Sequence, residues 1–430
     1  MTVQQKAFKS RRRYNQWVTN QTLEDFALRY TPVSARRWSA KRVVMTALSA
    51  ITFLALEAIG GALTLTYGFN YVVVAVILVS IIIFALSMPI AINAAKNGLD
   101  IDLLTRGAGF GYLGSTVTSL IYASFTFIFF ALEAAIMAMA LNMLFGLPLH
   151  FGYLIGSVVV IPLVTWGFTF ISRFQQFTQF CWLALQLLPF IFILIREHHV
   201  LQNWIDFPGF ITARDGSFDF LQLGAVCSVL LSLVSQVGEQ VDQVRFLPKP
   251  QHPARWRWYG AVIAAGPGWV VIGAIKILLG SFLAVLAFNY GLGAELASEP
   301  THMYLVAFSY VTHSSSTLLA LTGIFVVLSQ LKINVTNAYA GSIAWSNFFL
   351  RLTHRHPGRV VWLFFNVGIA LLLMELGVYR VFEDILGIYA VAATSWLGSV
   401  VADLTLNKWL KLRPAEIEFR RAYLYDINPV

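Results

Sequence analysis

Ten apolar segments, at roughly 43–68, 71–95, 113–145, 149–171, 176–195, 219–244, 258–288, 303–345, 359–379 and 384–407, follow one another with short polar connections between them. About 20 apolar residues are enough to cross the hydrocarbon core of a bilayer as a helix. The pattern therefore predicts an all-α polytopic membrane protein, one bundle of about ten transmembrane helices at 43–407. A basic arm (1–42) precedes it and a polar tail (408–430) follows it. Charged residues make up 12% of the chain, against about 25% in soluble domains. Cys181 and Cys227 both lie inside apolar runs, which offers neither a disulfide framework nor metal-ligand spacing. The arm is polar and has no cleavable leader, so the first apolar segment is itself the first targeting element.

The loop charges set the expected orientation. One set of flanks carries Lys6, Lys9, Arg11 to Arg13, Arg29, Arg36, Arg37, Lys41, Arg42, Lys96, Arg106 and Arg173. It continues with Arg245, Lys249, Arg255, Arg257, Arg351, Arg355, Arg359, Lys408, Lys411, Arg413, Arg420 and Arg421. The opposite flanks carry Arg196, Arg214 and Arg380. By the positive-inside rule both termini are expected in the cytoplasm, with the chain in an inner (cytoplasmic) membrane. The net charge of +9 is thus a topology signal and not the footprint of a nucleic-acid partner.

Polar residues inside the apolar segments mark the expected function. Glu57, Glu133, Glu239, Lys276, Lys332 and Glu375 fall well inside spans. A central ionisable residue costs roughly 2.5–3.5 kcal/mol on insertion scales, so such groups face protein or a water-filled cavity. The densest stretch is LSQLKINVTNAYAGSIAWSN, Leu328–Asn347. Two segments look broken. The first holds Glu57 just before Gly60 and Gly61; the sixth is interrupted by Ser235, Gln236, Gly238, Glu239 and Gln240. They occupy matching places in two five-helix halves, about 43–195 and 219–407. That is the sequence pattern of an inverted-repeat transporter with its site near the midplane. Ordinary glycine-mediated helix packing is the alternative reading of the same glycines. The eighth segment is too long for one span, so its end must turn or break.

Other motifs fail their context. Gly109, Gly111 and Gly114 match GxGxxG without a strand and crossover around them. Asn20-Gln21-Thr22 and Asn334-Val335-Thr336 match glycosylation acceptors but lie on the arm and in the membrane. His354 and His356 read as loop residues. Phosphate loop, nucleophile elbow and zinc motif are all missing, which places an enzyme last among the functional classes; no cofactor or metal is expected.

KNGLDIDLLTRGAGFGYLGS between the second and third segments, DQVRFLP with Asp242 and Arg245, TNAYAGSIAWSN in the eighth segment and Asp403 in the tenth together resemble the nucleobase–cation symporter (purine–cytosine permease) family. The resemblance implies a leucine-transporter-type fold, a 5+5 inverted repeat with broken helices 1 and 6. The family usually has two further helices beyond the point where this sequence reaches AYLYDINPV. The sequence also resembles permease-like modules of bacterial sensor kinases, which implies a possible signalling domain C-terminal to this chain. Carried over, the family's base-stacking aromatic falls on Phe129, its base-edge residue on Glu133 and its base-binding asparagine on Asn337. The sixth segment, with Leu233, Ser235 and Gln236, lacks the second aromatic. The place of a sodium-binding hydroxyl falls on Lys332, flanked by Leu328 and Leu331. An ammonium and two leucines cannot ligate sodium, which needs oxygen ligands. The expectation is a proton-coupled, sodium-independent permease for a nucleobase-like small molecule. Phe129, Glu133, Asn337, Glu57, Gln236 and Ser235 would bind the substrate. Lys332 would join helices 1 and 8 when charged, with Glu57, Glu133 or Glu239 passing the proton. A ligand-sensing membrane module with little transport is the alternative.

Overall fold

The structure, a computed structural model, describes residues 30–197, 199–211, 218–250, 255–355, 357–377, 382–412 and 416–428. Most of the basic arm, Asn20–Thr22, Arg214, His356, Arg380 and Arg413 lie outside them.

The main helices of the bundle among the described residues are, in order, α1 (Ala40–Ser49, α1a, and Ala55–Tyr67, α1b), α2 (Phe69–Asn97), α3 (Ser115–Phe145), α4 (Leu149–Val158 with Val160–Thr165) and α5 (Phe168–Arg196). Then come α6 (Phe220–Leu231, a tighter turn at Ser232–Ser235, and Gln236–Val244), α7 (Arg255–Ala265 with Trp269–Asn289), α8 (Ser315–Thr353), α9 (Arg359–Glu375) and α10 (Phe382–Ala402). Among the described residues, α2, α3, α5, α6, α7, α8 and α10 each contain a run long and apolar enough to cross a membrane; broken α1, kinked α4 and short α9 complete the bundle.

Lipid gives helices no hydrophobic reason to associate, so close packing and polar ties must hold the bundle. The two axial helices show this. Every residue from Lys332 to Asn347 on α8 and from Phe129 to Ala138 on α3 is buried, so neither stretch offers a face to lipid. The peripheral α5, by contrast, exposes 88% of Phe177 and 85% of Phe180 outward.

The structure moves the expected break in α1 and places the one in α6 at the leading edge of the expected stretch, ending on Ser235. In α1 the helix stops at Ser49 and restarts at Ala55, and Gly60 and Gly61 lie inside the continuous α1b. Their role is packing: a Cβ on Gly60 would sit 2.0 Å from the Ile277 carbonyl oxygen of α7. Gly280 of α7 approaches the Glu57 backbone in the same way, at 2.2 Å. In α6 the irregular turn is Ser232–Ser235, and Gly238 lies beyond it, where a Cβ would meet the Tyr122 ring at 2.4 Å. In both places the glycine reports a helix crossing one or two turns past the break. The long eighth segment breaks near its start, where Pro300–Ser309 forms a separate helix ahead of α8. Glu375 is also corrected: it is the exposed last residue of α9, outside the buried core.

Candidate functional site

The break in α1 is the best-supported point in the molecule. A helix N-terminus leaves backbone N–H groups without partners and carries partial positive charge. At α1b these donors meet side chains of the two axial helices. Glu133 of α3 accepts from the Leu54 N–H with one carboxylate oxygen (3.2 Å) and from the Ala55 N–H with the other (3.3 Å). Gln330 of α8 accepts a longer bond from Leu54 (3.4 Å). Thr52 donates to the Ser329 carbonyl of α8 at 2.9 Å. The Glu133 carboxyl group thus lies against the positive end of a half-helix, with the whole arrangement buried.

An aromatic path runs from this break to the one in α6. The Phe53 and Phe129 rings meet edge to face with centroids 6.4 Å apart. Phe129 packs on Phe125 at 4.5 Å, and Phe125 stacks over Tyr389 of α10 at 6.4 Å. The Tyr389 hydroxyl shares a 2.6 Å hydrogen bond with Ser235, at the end of the tight turn in α6. Phe129, Glu133 and Ser235 therefore belong to one connected region. Asn337 joins it through α8: its amide donates to Asn334 (3.2 Å), whose own amide donates to the Phe130 carbonyl (3.4 Å).

Gln236 donates to Glu239 one turn on (2.8 Å). Several buried polar atoms near these elements have no protein partner: Glu239 Oε1, Asn337 Oδ1, Gln330 Nε2 and both amide ends of Gln240. Donors and acceptors are both present, the complement of a heterocycle edge.

One expected assignment changes: Lys332 does not join helices 1 and 8. Its ammonium donates to the Gln175 carbonyl (3.0 Å) and the Thr178 hydroxyl (2.9 Å), tying α8 to α5, while Gln175 donates back to the Lys332 carbonyl (2.7 Å). The reason is helical spacing: Gln330 faces α1, and Lys332 lies about 200° round the helix from it, on the side where the Ser329 hydroxyl accepts from Trp182 of α5 at 2.9 Å. Glu57 is engaged through one oxygen only, and its Oε2 has no protein partner. Lys276 of α7 bonds one of its oxygens at 2.5 Å and Tyr304 donates to the same atom at 3.2 Å. This pair ties α1b to α7 and to the helix preceding α8.

The resemblance motifs gather at the end of the bundle that carries the tail. Arg245, fully buried, faces Asp100 (3.6 Å), and donates to the Tyr339 hydroxyl (3.3 Å) and the Asp242 carbonyl (3.1 Å). Tyr122 donates to Asp242 at 2.9 Å. Arg351 of α8 bonds Asp102, Ser115 and Ser119. Between α2 and α3, burial pushes the Asp100 carboxyl up to about 6, against the pull of Arg245. At the other end a cleft of about 740 Å³ opens among α3, α4, α9 and the segment between α7 and α8, lined by Asn142, Tyr153, Glu295, Glu299, His302 and Glu375.

Sequence reasoning missed Gln330, Thr52, Tyr389 and Tyr304. Gln330 lies in the polar stretch of α8 that drew attention; Tyr389 and Tyr304 lie in ordinary apolar sequence and gave no signal.

No protein-family model matches the chain, and no curated protein sequence does. Its fold does match solved structures. One is Mhp1, a nucleobase-cation-symport-1 family transporter, in a closed conformation with bromovinylhydantoin bound: TM-score 0.65 and 16% identity, over 89% of this chain and 80% of that one. Another is a Na⁺-coupled sialic acid symporter in a substrate-bound, outward-open state: TM-score 0.62 and 13% identity, over 91% and 83%. The fold is thus the leucine-transporter type, two inverted five-helix repeats whose first members, α1 and α6, are broken.

Proposed function

We propose that the chain is a secondary active transporter that moves a small, neutral or cationic nitrogenous molecule by alternating access, coupled to protons and not to sodium. The observation that carries this reading is the Glu133 carboxylate on the N–H groups of Leu54 and Ala55. The anion-binding end of α1b is already filled by the protein. A substrate at the α1 and α6 breaks therefore needs no carboxylate of its own, and an added one would meet Glu133 as a like charge. Phe129 and Phe53 supply an aromatic wall; Asn337, Gln330 and Gln240 supply donors and acceptors for a planar polar edge. Ser235 and Gln236 hold the opposite break, and Glu239 keeps an unpaired oxygen beside them.

Lys332 supports the sodium-independent part. An ammonium held by α5 stands in α8 where the family resemblance puts a cation-binding hydroxyl. Loss of its proton would weaken its bonds to Gln175 and Thr178, and so the α5–α8 seam. Both termini lie on the cytoplasmic side in this reading, with the Arg245 and Arg351 clusters closing the inner end. The expected alternative, a ligand-sensing module of a signalling protein, finds no support in the comparisons.

The test is uptake into proteoliposomes of radiolabelled uracil, cytosine, hypoxanthine, allantoin and hydantoin, with an imposed proton gradient and sodium present or absent. Saturable, gradient-driven uptake of at least one compound without sodium is expected. Strict sodium dependence, or a steady current without saturation, would contradict the reading.

A further inference from the structure

The glycine-rich loop that failed as a dinucleotide motif is a docking site for the chain's own tail. Residues 416–428 cross it, with a single 3₁₀ turn at Arg421–Tyr423. Tyr112 N–H donates to the Tyr425 carbonyl (2.9 Å), and the N–H groups of Leu113 (2.6 Å) and Gly114 (3.1 Å) both donate to the Asp426 carbonyl. In the other direction, Asn428 donates its side-chain amide to the Gly109 carbonyl (2.8 Å) and its N–H to Phe110 (3.4 Å). The glycines make room: a Cβ on Gly107 would sit 2.4 Å from the Glu418 carbonyl oxygen, and one on Gly111 would sit 2.7 Å from that of Tyr425. The Arg421 guanidinium covers the Tyr112 ring at 4.4 Å, and Ile417 is buried beneath.

Two features make this more than surface packing. Leu113 and Gly114 lead directly into α3, so the Asp426 carbonyl satisfies donors at the N-terminal end of the axial helix. The same loop also begins with Asp100 and Asp102, which hold Arg245 of α6 and Arg351 of α8. The tail is covalently continuous with α10, whose Trp396 donates to Thr105 of the loop. A strap from α10 to the loop therefore crosses the seam that must widen if this end of the bundle opens.

We propose that residues 416–428 are a latch: bound to loop 106–114 they hold the tail-side end of the bundle closed, and they must leave the loop for that end to open. This rests on the alternating-access reading above. The latch is a peptide bound mainly through backbone, so its release depends on those backbone hydrogen bonds more than on its charge.

The test uses the full chain with Cys181 and Cys227 replaced by Ser. Asn428→Pro removes both Asn428 donors; Asn428→Ala removes only the amide. Hydrogen exchange at Tyr112, Leu113 and Gly114 reads tail binding. Maleimide labelling of Ala344→Cys, buried on α8 one turn inside Asn347, reads opening; labelling of Ala287→Cys, buried at the other end of the bundle, reads unfolding. With each hydrogen bond contributing about a fivefold bias, Asn428→Pro should speed both exchange and Ala344→Cys labelling by roughly five- to twentyfold, and Asn428→Ala by about two- to fivefold. Ala287→Cys should not change. Exchange that rises without faster Ala344→Cys labelling would overturn the latch, as would unchanged exchange, or both cysteines speeding up together. No substrate is involved, so failure here leaves the transport reading to its own uptake test.

Discussion

The two broken helices are broken differently. In α1 five residues, 50–54, interrupt the helix, and the freed donors are taken by Glu133 and Gln330 from the axial helices. In α6 the helix only tightens over Ser232–Ser235, and its visible tie to the rest of the region is one hydroxyl pair, Ser235 with Tyr389. A gap bridged by a buried carboxylate is rigid and charge-specific. A tight turn held by a hydroxyl can change cheaply. In the proposed transport reading the α1 break sets what kind of molecule can bind, and the α6 break is the more easily moved partner.

Removing Glu133 should break this contrast most strongly. Glu133→Ala leaves the Leu54 and Ala55 donors buried without their main acceptor, at a cost of about 1–3 kcal/mol each. A fall in the unfolding midpoint and a loss of uptake greater than 100-fold are expected in thermal-shift and proteoliposome assays. Next is the tie of α1b to α7. Lys276→Met leaves Glu57 as a buried unpaired charge and should destabilise by about 3–5 kcal/mol, whereas Lys276→Met with Glu57→Gln should recover most of that. A double mutant no better than the single would show that the stranded Glu57 charge is not what the single substitution costs.

Lys332→Met removes an ammonium held by two α5 oxygens and should lower stability by about 1–3 kcal/mol. Uptake in this variant should continue down a substrate gradient but no longer respond to the proton gradient. Across the contrast on the α6 side, Tyr389→Phe should cost only about 1 kcal/mol and change uptake a few-fold. The smallest effect concerns pH. A carboxyl raised on folding, like that of Asp100 at about 6, adds stability that is complete below its unfolded value and lost as pH rises through 6. The melting temperature of the wild type should therefore rise relative to Asp100→Asn as pH is lowered from 7.5 to about 4. A relative fall would mean that the Arg245 pairing, and not burial, dominates at Asp100.

The fold was largely legible because membrane insertion writes itself into sequence: long apolar runs and a charge bias need no tertiary information. The break positions were less so. Gly60, Gly61 and Gly238 mark close helix crossings, which share the composition of a break but lie one or two turns beyond it. Glu133 was legible as a costly charge at depth, but its partners are backbone N–H groups, which no sequence displays. Lys332 was placed on the wrong neighbour because the direction of a side chain around α8 depends on packing. Its spacing from Gln330 could have shown that the two residues face different helices. Tyr304 and Tyr389 act through contacts made only in the folded chain, and neighbouring sequence gave no hint of them.

The most direct measurement compares neutral uracil with its carboxylated relative orotate, by ligand-induced thermal stabilisation of the wild type and Glu133→Ala. With the carboxylate on the α1b N-terminus, uracil should stabilise the wild type and orotate should not. Vacating that position should bring orotate binding to Glu133→Ala. Orotate stabilising the wild type as well as uracil does, or an unchanged preference in the variant, would contradict the account.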